Sequence, residues 1–213
     1  YSLGAESYVR DAIQTTNGGI LVVGGAGAWP DAKAILTKLG HTGSLQWIYV
    51  PNQAGAYLWS PIELADQSFL LAVEVTDLNT NESTLRVVHI GPMGEELWQS
   101  GVLPGRLDPS TVKFLDEGDG VVLGATSYLG DQVLPDGSTV PDFSPLLVKL
   151  DSEGKILWSY QFDNGQNAYN GLAGLWKDVD GNYIIVGNLG NVNGVLTPYA
   201  YFRARLLGDR SEG

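Results

Sequence analysis

Four times along the chain a short polar turn runs straight into an apolar stretch. The segments are Thr16-Asn-Gly-Gly-Ile-Leu-Val-Val-Gly24, Ala65-Asp-Gln-Ser-Phe-Leu-Leu-Ala-Val73, Glu117-Gly-Asp-Gly-Val-Val-Leu-Gly124 and Val179-Asp-Gly-Asn-Tyr-Ile-Ile-Val-Gly187. Asn-Gly, Asp-Gly and their relatives supply the positive φ that tight hairpin turns require. The apolar runs after them are nearly continuous, which predicts strands buried on both faces. A second strand is predicted after a connection of variable length: Lys33–Leu39, Leu85–Ile90, Leu146–Leu150 and Ala200–Leu206. In three copies this strand turns at once into a Gly-x-x-x-Trp segment: Gly43-Ser-Leu-Gln-Trp47, Gly94-Glu-Glu-Leu-Trp98 and Gly154-Lys-Ile-Leu-Trp158. A less regular strand precedes each copy, such as Ala56–Glu63 or Gly171–Trp176. No stretch keeps a helical period beyond about two turns.

The three tryptophans recur at intervals of 51 and 60 residues. A repeat of this length, built from short antiparallel strands, predicts an all-β fold of the β-propeller kind. Four repeats of about four strands are expected, at residues 10–58, 59–109, 110–170 and 171–213, with residues 1–9 as a strand completing the last blade. They make either four blades in one ring or a four-blade portion of a larger ring. Closure is the preferred expectation, because an open stack leaves apolar faces in water. Each indole is expected to fill the gap between blades. Gly24, Gly124 and Gly187 are expected to let strands crowd together.

Composition narrows the function. The 213 residues are 44% hydrophobic and 17% charged, so the chain can bury a core. A net charge of −12 repels phosphate backbones and anionic lipid, which argues against nucleic-acid binding. Cysteine is absent, which removes disulfides, thiolate metal sites and a Cys nucleophile. No apolar run approaches the ~18 residues of a membrane-spanning helix, so membrane insertion is not expected.

Few residues suggest chemistry. His41 and His89 are too few for a three-histidine metal site, and no Gly-x-Ser-x-Gly occurs. Turn or surface roles are expected for both. Asp178, Asp180 and Asn182 resemble the start of a calcium loop, but a strand follows where its liganding glutamate belongs. They read as a hairpin turn, as do Asp116, Glu117 and Asp119. The segment Ser127–Pro145 is an inserted loop that accounts for the longer repeat interval. It carries Tyr128, Asp131, Asp136 and Asp142, the candidates for a basic partner or calcium, against a solvated hairpin extension. Trp29 and Asp31, in Gly27-Ala-Trp-Pro-Asp31, form a candidate loop-tip anchor for a protein or a sugar ring. Trp59 and Trp176 fall in the same strand region of their repeats and are expected in the core. Gly24-Gly-Ala-Gly27 fails as a dinucleotide fingerprint because no helix follows.

The segment Lys149-Leu-Asp-Ser-Glu-Gly-Lys-Ile-Leu-Trp158 resembles the tryptophan-docking motif of PQQ-like (quinoprotein-like) propellers. It is also similar to repeats of secreted and outer-membrane bacterial propellers. The resemblance covers nearly the whole chain at low identity and implies the propeller fold. The PQQ enzymes generally have twice as many blades, and many hold their quinone with adjacent cysteines. This chain departs on both points, so no cofactor is expected. Relatives without enzymatic function include scaffold lipoproteins of outer-membrane assembly machinery. The resemblance therefore implies a non-catalytic interaction scaffold with a protein partner, in a secreted, periplasmic or cell-surface setting. A glycan-binding module using loop aromatics is the alternative, and a hydrolase or lyase a third.

Overall fold

The computed structural model describes residues 7–27, 33–77, 79–133, 136–162, 170–189 and 200–206. These residues form fifteen β-strands and no helix. The strands build four antiparallel sheets in chain order, each a meander of sequence neighbours. The first sheet holds β1 (Ser7–Gln14), β2 (Ile20–Ala26), β3 (Lys33–Leu39) and β4 (Leu45–Tyr49). The second holds β5 (Ala56–Glu63), β6 (Phe69–Thr76), β7 (Ser83–Ile90) and β8 (Glu96–Gln99). The third holds β9 (Arg106–Asp116), β10 (Gly120–Val133), β11 (Thr139–Asp151) and β12 (Ile156–Gln161). The fourth holds β13 (Asn170–Lys177), β14 (Tyr183–Leu189) and β15 (Ala200–Leu206). Ser7–Val9 open β1 and pair with Ala26–Gly24 of β2.

The chain divides into two compact units, residues 1–103 with 153–155, and residues 104–152 with 156–213. In the first, Leu21, Val23, Ala34 and Leu36 of the first sheet pack with Leu58, Phe69, Leu71, Val73, Val88 and Ile90 of the second. Each of these side chains larger than alanine contributes about 1.5–3 kcal/mol by leaving water. The unbroken apolar run of β6 is buried throughout, as its pattern predicts. That of β2 is not. Its burial alternates, with Leu21 and Val23 inside, Val22 half-buried and Ile20 exposed. The half-buried face lines a cavity of about 330 Å³ with Ile35, Thr37, Leu45 and Ile48. In the second unit, Val122 and Leu147 pack with Leu172, Leu175, Tyr183 and Ile185, flanked by Leu115 and Trp158. Gly124 permits this approach: a Cβ there would lie 2.8 Å from Leu172. Gly24 is crowded instead by its own sheet, where a Cβ would lie 2.1 Å from the Tyr8 carbonyl oxygen.

The register explains the tryptophan spacing. Trp47, Trp98 and Trp158 pair across the outer edge of their sheets with Lys38, His89 and Lys149. A one-residue register shift beside each pair, between Lys38 and Leu39, His89 and Ile90, and Lys149 and Leu150, bends the strand and turns the indole. Trp47 then reaches the β7–β8 turn of the next sheet. Its Nε1–H donates to the Pro92 carbonyl at 2.9 Å, and its ring lies over Gly94, where a Cβ would fall 2.7 Å from the indole. Trp98 lies in the same way over Gly154, with a Cβ distance of 2.4 Å. Gly94 and Gly154 therefore do more than turn the chain: each seats the indole of the sheet before it.

Candidate functional site

The inserted segment is the hairpin extension rather than an open loop. β10 and β11 run for 14 and 13 residues, and their distal parts pair from Ser127↔Ser144 to Val133↔Thr139. Pairing with β9 ends at Tyr128↔Arg106, and pairing with β12 ends at Leu146↔Gln161. Beyond those points the ribbon is only two strands wide. The β-forming residues Tyr128, Val133, Thr139, Val140 and Phe143 outweigh the turn-like prolines and glycines here. Gly130, at φ 125°, absorbs a bulge that no side-chain-bearing residue accommodates readily.

At the base of this arm, the Tyr128 ring stands 5.4 Å from Phe143 and 5.2 Å from the Arg106 guanidinium carbon. Each candidate acid already has a local partner. Tyr128 donates its hydroxyl to Asp131 at 2.7 Å. That bond favours the protonated phenol and raises its pKa. Gln132 donates to Asp142 at 2.5 Å. Asp136 accepts from the Ser138 hydroxyl at 2.6 Å and its amide at 2.9 Å, which holds its carboxyl below the usual range. The acids do not converge, and no cluster of three metal-ligating side chains occurs among the described residues. Leu129 and Val133 are 43% and 71% exposed on the ribbon. Trp29 and Asp31, the other candidates, lie outside the described residues.

Trp176 is not a core residue; it is 53% exposed and folds back over Gly174, where a Cβ would fall 2.2 Å from the ring. Trp59 is half-buried. Asp178 closes its own turn, accepting from the amides of Asp180 and Asn182 and from the Asn182 side chain. That geometry is a hairpin turn.

One pattern escaped the sequence reading. The basic residue beside each tryptophan reaches back to the first turn of its sheet. Lys38 donates to Thr15 at 2.8 Å and to Asn17 at 3.1 Å. Lys149 donates to Glu117 at 2.6 Å and to Asp119 at 3.0 Å. Arg205 holds the same register in the fourth sheet, opposite Ile184. The recurring Lys-Leu, His-Ile and Arg-Leu pairs at strand ends were the available signal.

His89 occupies this position in the second sheet. Its Nε2 lies 2.6 Å from Ser68 Oγ, which donates to Asp66 at 2.5 Å. The three residue types are those of a hydrolytic triad, but the order is wrong. Ser68 sits between the other two and gives its proton to the carboxylate, so Nε2 is the donor to it. Ser68 is 0% exposed, and His89 Nδ1 is buried without a partner. No substrate carbonyl can reach that hydroxyl. The set is a structural clasp.

The clasp makes a prediction. Burial lowers the His89 pKa from its ordinary 6.5, and the nearby Asp66 only partly opposes this. The folded chain thus binds a proton less readily than the unfolded chain does. The stabilising contribution is complete above the unfolded value and disappears as pH falls through the lower folded value. Urea midpoints measured from pH 7.5 to pH 5 will decline for the wild type and decline less for His89→Gln. Parallel curves would refute the assignment.

No protein-family model matches the chain, and no curated protein matches its sequence.

Proposed function

We propose that the chain is a propeller-type module that binds a protein partner through the β10–β11 arm and performs no catalysis. The observation that carries this reading is the arm itself: a paired ribbon that presents Leu129 and Val133 to solvent between aspartates. Exposed apolar residues on a stiff, polar-rimmed element suit burial by another surface. The arm's acids are already oriented by Tyr128, Gln132 and Ser138, so little side-chain entropy is lost on docking. A basic rim on the partner would complement them. The buried Ser68 and its reversed proton order support a non-catalytic role. The similarity of the Gly-to-Trp segments to secreted and envelope propellers supports a setting outside the cytoplasm.

The test uses the whole chain immobilised against extract of its source cells, with Leu129→Asp/Val133→Asp as the variant. Val179→Asp, at a fully exposed position of the same unit, is the control. A saturable partner should be retained by wild type and control and reduced at least tenfold by the arm variant, with urea midpoints unchanged. Equal retention by all three proteins would end this reading.

A further inference from the structure

β1 and β5 lead the two sheets of the first unit, and between them lies Arg10. Its guanidinium carbon sits 3.7 Å from the centroid of Trp59, 5.3 Å from Tyr57 and 5.6 Å from Tyr8. The indole is held from its other edge, where Nε1–H donates to Glu74 at 3.1 Å. The backbone is bent to place it. β5 has a register shift between Trp59 and Ile62, and Ser60 takes φ 47°, a left-handed conformation unusual for a residue with a side chain. Such strain persists where the surroundings over-determine it, and it concentrates at ligand sites.

The guanidinium is left half-satisfied. Rings stack on it, yet among the described residues it makes no hydrogen bond and no ion pair. Five N–H donors lie in the guanidinium plane, along the edge that stacked rings do not cover. This occurs in a chain with 24 acidic and 12 basic residues, where carboxylates to pair with an arginine are plentiful. Glu74, the nearby acid, points one oxygen at Trp59 and makes no ion pair with Arg10.

We propose that this array binds a carboxylate carried on a hydroxylated ring, that is, a uronate sugar. The planar carboxylate matches the guanidinium edge through two parallel hydrogen bonds. Glu74 supplies an acceptor for ring hydroxyls and repels a second negative charge, which disfavours a phosphate dianion or a run of acidic side chains. Tyr8 is 39% exposed, which leaves aromatic surface for the C–H side of a sugar. The Tyr57 hydroxyl, protonated at neutral pH as any phenol is, can donate a hydrogen bond. This site belongs to the first unit and the arm to the second, so the two proposals stand or fall separately.

The experiment titrates the intact chain with trigalacturonate and triglucuronate, following tryptophan fluorescence and heat. Neutral trigalactose and triglutamate peptide are the comparison probes. At least one uronate should bind saturably, more weakly as salt rises, and at least tenfold more weakly to Arg10→Gln. Arg10→Lys keeps the charge but loses the paired geometry, and should fall between. If Arg10→Gln lowers the urea midpoint, the wild-type probe series and the Lys variant decide. Binding of neither uronate, equal binding of trigalactose or triglutamate, or equal affinity in the lysine variant would each overturn the proposal.

Discussion

Glu117→Ala will destabilise the second unit by about 3 kcal/mol, because it strands a buried charge. The Glu117 side chain is 6% exposed and that of Lys149 8% exposed, with 2.6 Å between Nζ and Oε2. Lys177 bonds the other carboxylate oxygen, and the Tyr183 hydroxyl donates to both, at 2.9 and 3.0 Å. Removing the carboxylate leaves the Lys149 ammonium with only Asp119, whose side chain is 83% exposed. Asp119→Ala should accordingly cost far less, as exposed pairs contribute little. Replacing both buried partners, in Glu117→Leu/Lys149→Met, should recover most of the loss, since no unpaired charge remains. Burial pushes the Glu117 carboxyl up, but bonds from Lys149, Lys177 and Tyr183 outweigh it and hold the pKa below 4.5. This contribution is therefore whole above that value and is lost as pH falls through the folded one. Urea unfolding at pH 7 and pH 3.5 measures both effects. A Glu117→Ala midpoint equal to that of Asp119→Ala would refute the buried-charge account.

Gly94→Ala will cost markedly more than Gly43→Ala, although the two glycines occupy matching turns. Their φ angles are 89° and 79°, so alanine suffers comparable left-handed strain at both, about 1 kcal/mol. They differ in what a methyl group meets. At Gly43 there is nothing within 4 Å, whereas at Gly94 the Trp47 indole lies 2.7 Å away. Backbone carbonyl and ring are joined by the Trp47–Pro92 hydrogen bond, so the indole cannot simply lift. Overpacking of this kind adds about 1–3 kcal/mol. Gly154→Ala, with Trp98 at 2.4 Å, should behave like Gly94→Ala. Trp47→Ala combined with Gly94→Ala should then cost less than the sum of the two, because the clash disappears with the ring. Equal losses at Gly43 and Gly94 would show that the indole seat is not under steric constraint.

Much of the fold was legible because local chemistry and tertiary pattern agree. Turn glycines and apolar runs placed β2, β6, β10 and β14, and the Gly-x-x-x-Trp spacing placed β4, β8 and β12. The failures have separate causes. The arm is legible as a hairpin extension but not in its length or register: Pro141, Gly130 and three aspartates mark turns locally, while cross-strand pairs such as Tyr128↔Phe143 can be recognised only once register is known. Trp59 and Trp176 look alike in sequence. Gly174 lets one fold onto its own strand, whereas Arg10 and Glu74 hold the other. The recurring basic residue is visible in the sequence, but its partners are not: Lys149 and Glu117 are 32 positions apart. Of the candidate site, Tyr128, Asp131, Asp136 and Asp142 do gather on one element. The pairing of the acids with Tyr128, Gln132 and Ser138 is a property of side-chain geometry that composition does not carry.

The two indole seats, at Gly94 and Gly154, lie at the end of the second and third sheets where the third strand turns into the fourth. The link from second to third strand lies at the opposite end, and it is there that the third sheet has grown its arm. Growth in that direction disturbs no seat. In these two sheets one end is thus held to a fixed length and a fixed glycine, while the other can lengthen, shorten or change its chemistry at small cost to the scaffold. New recognition surfaces can arise on such a protein by drift in one set of hairpin tips, with the packing between sheets left untouched.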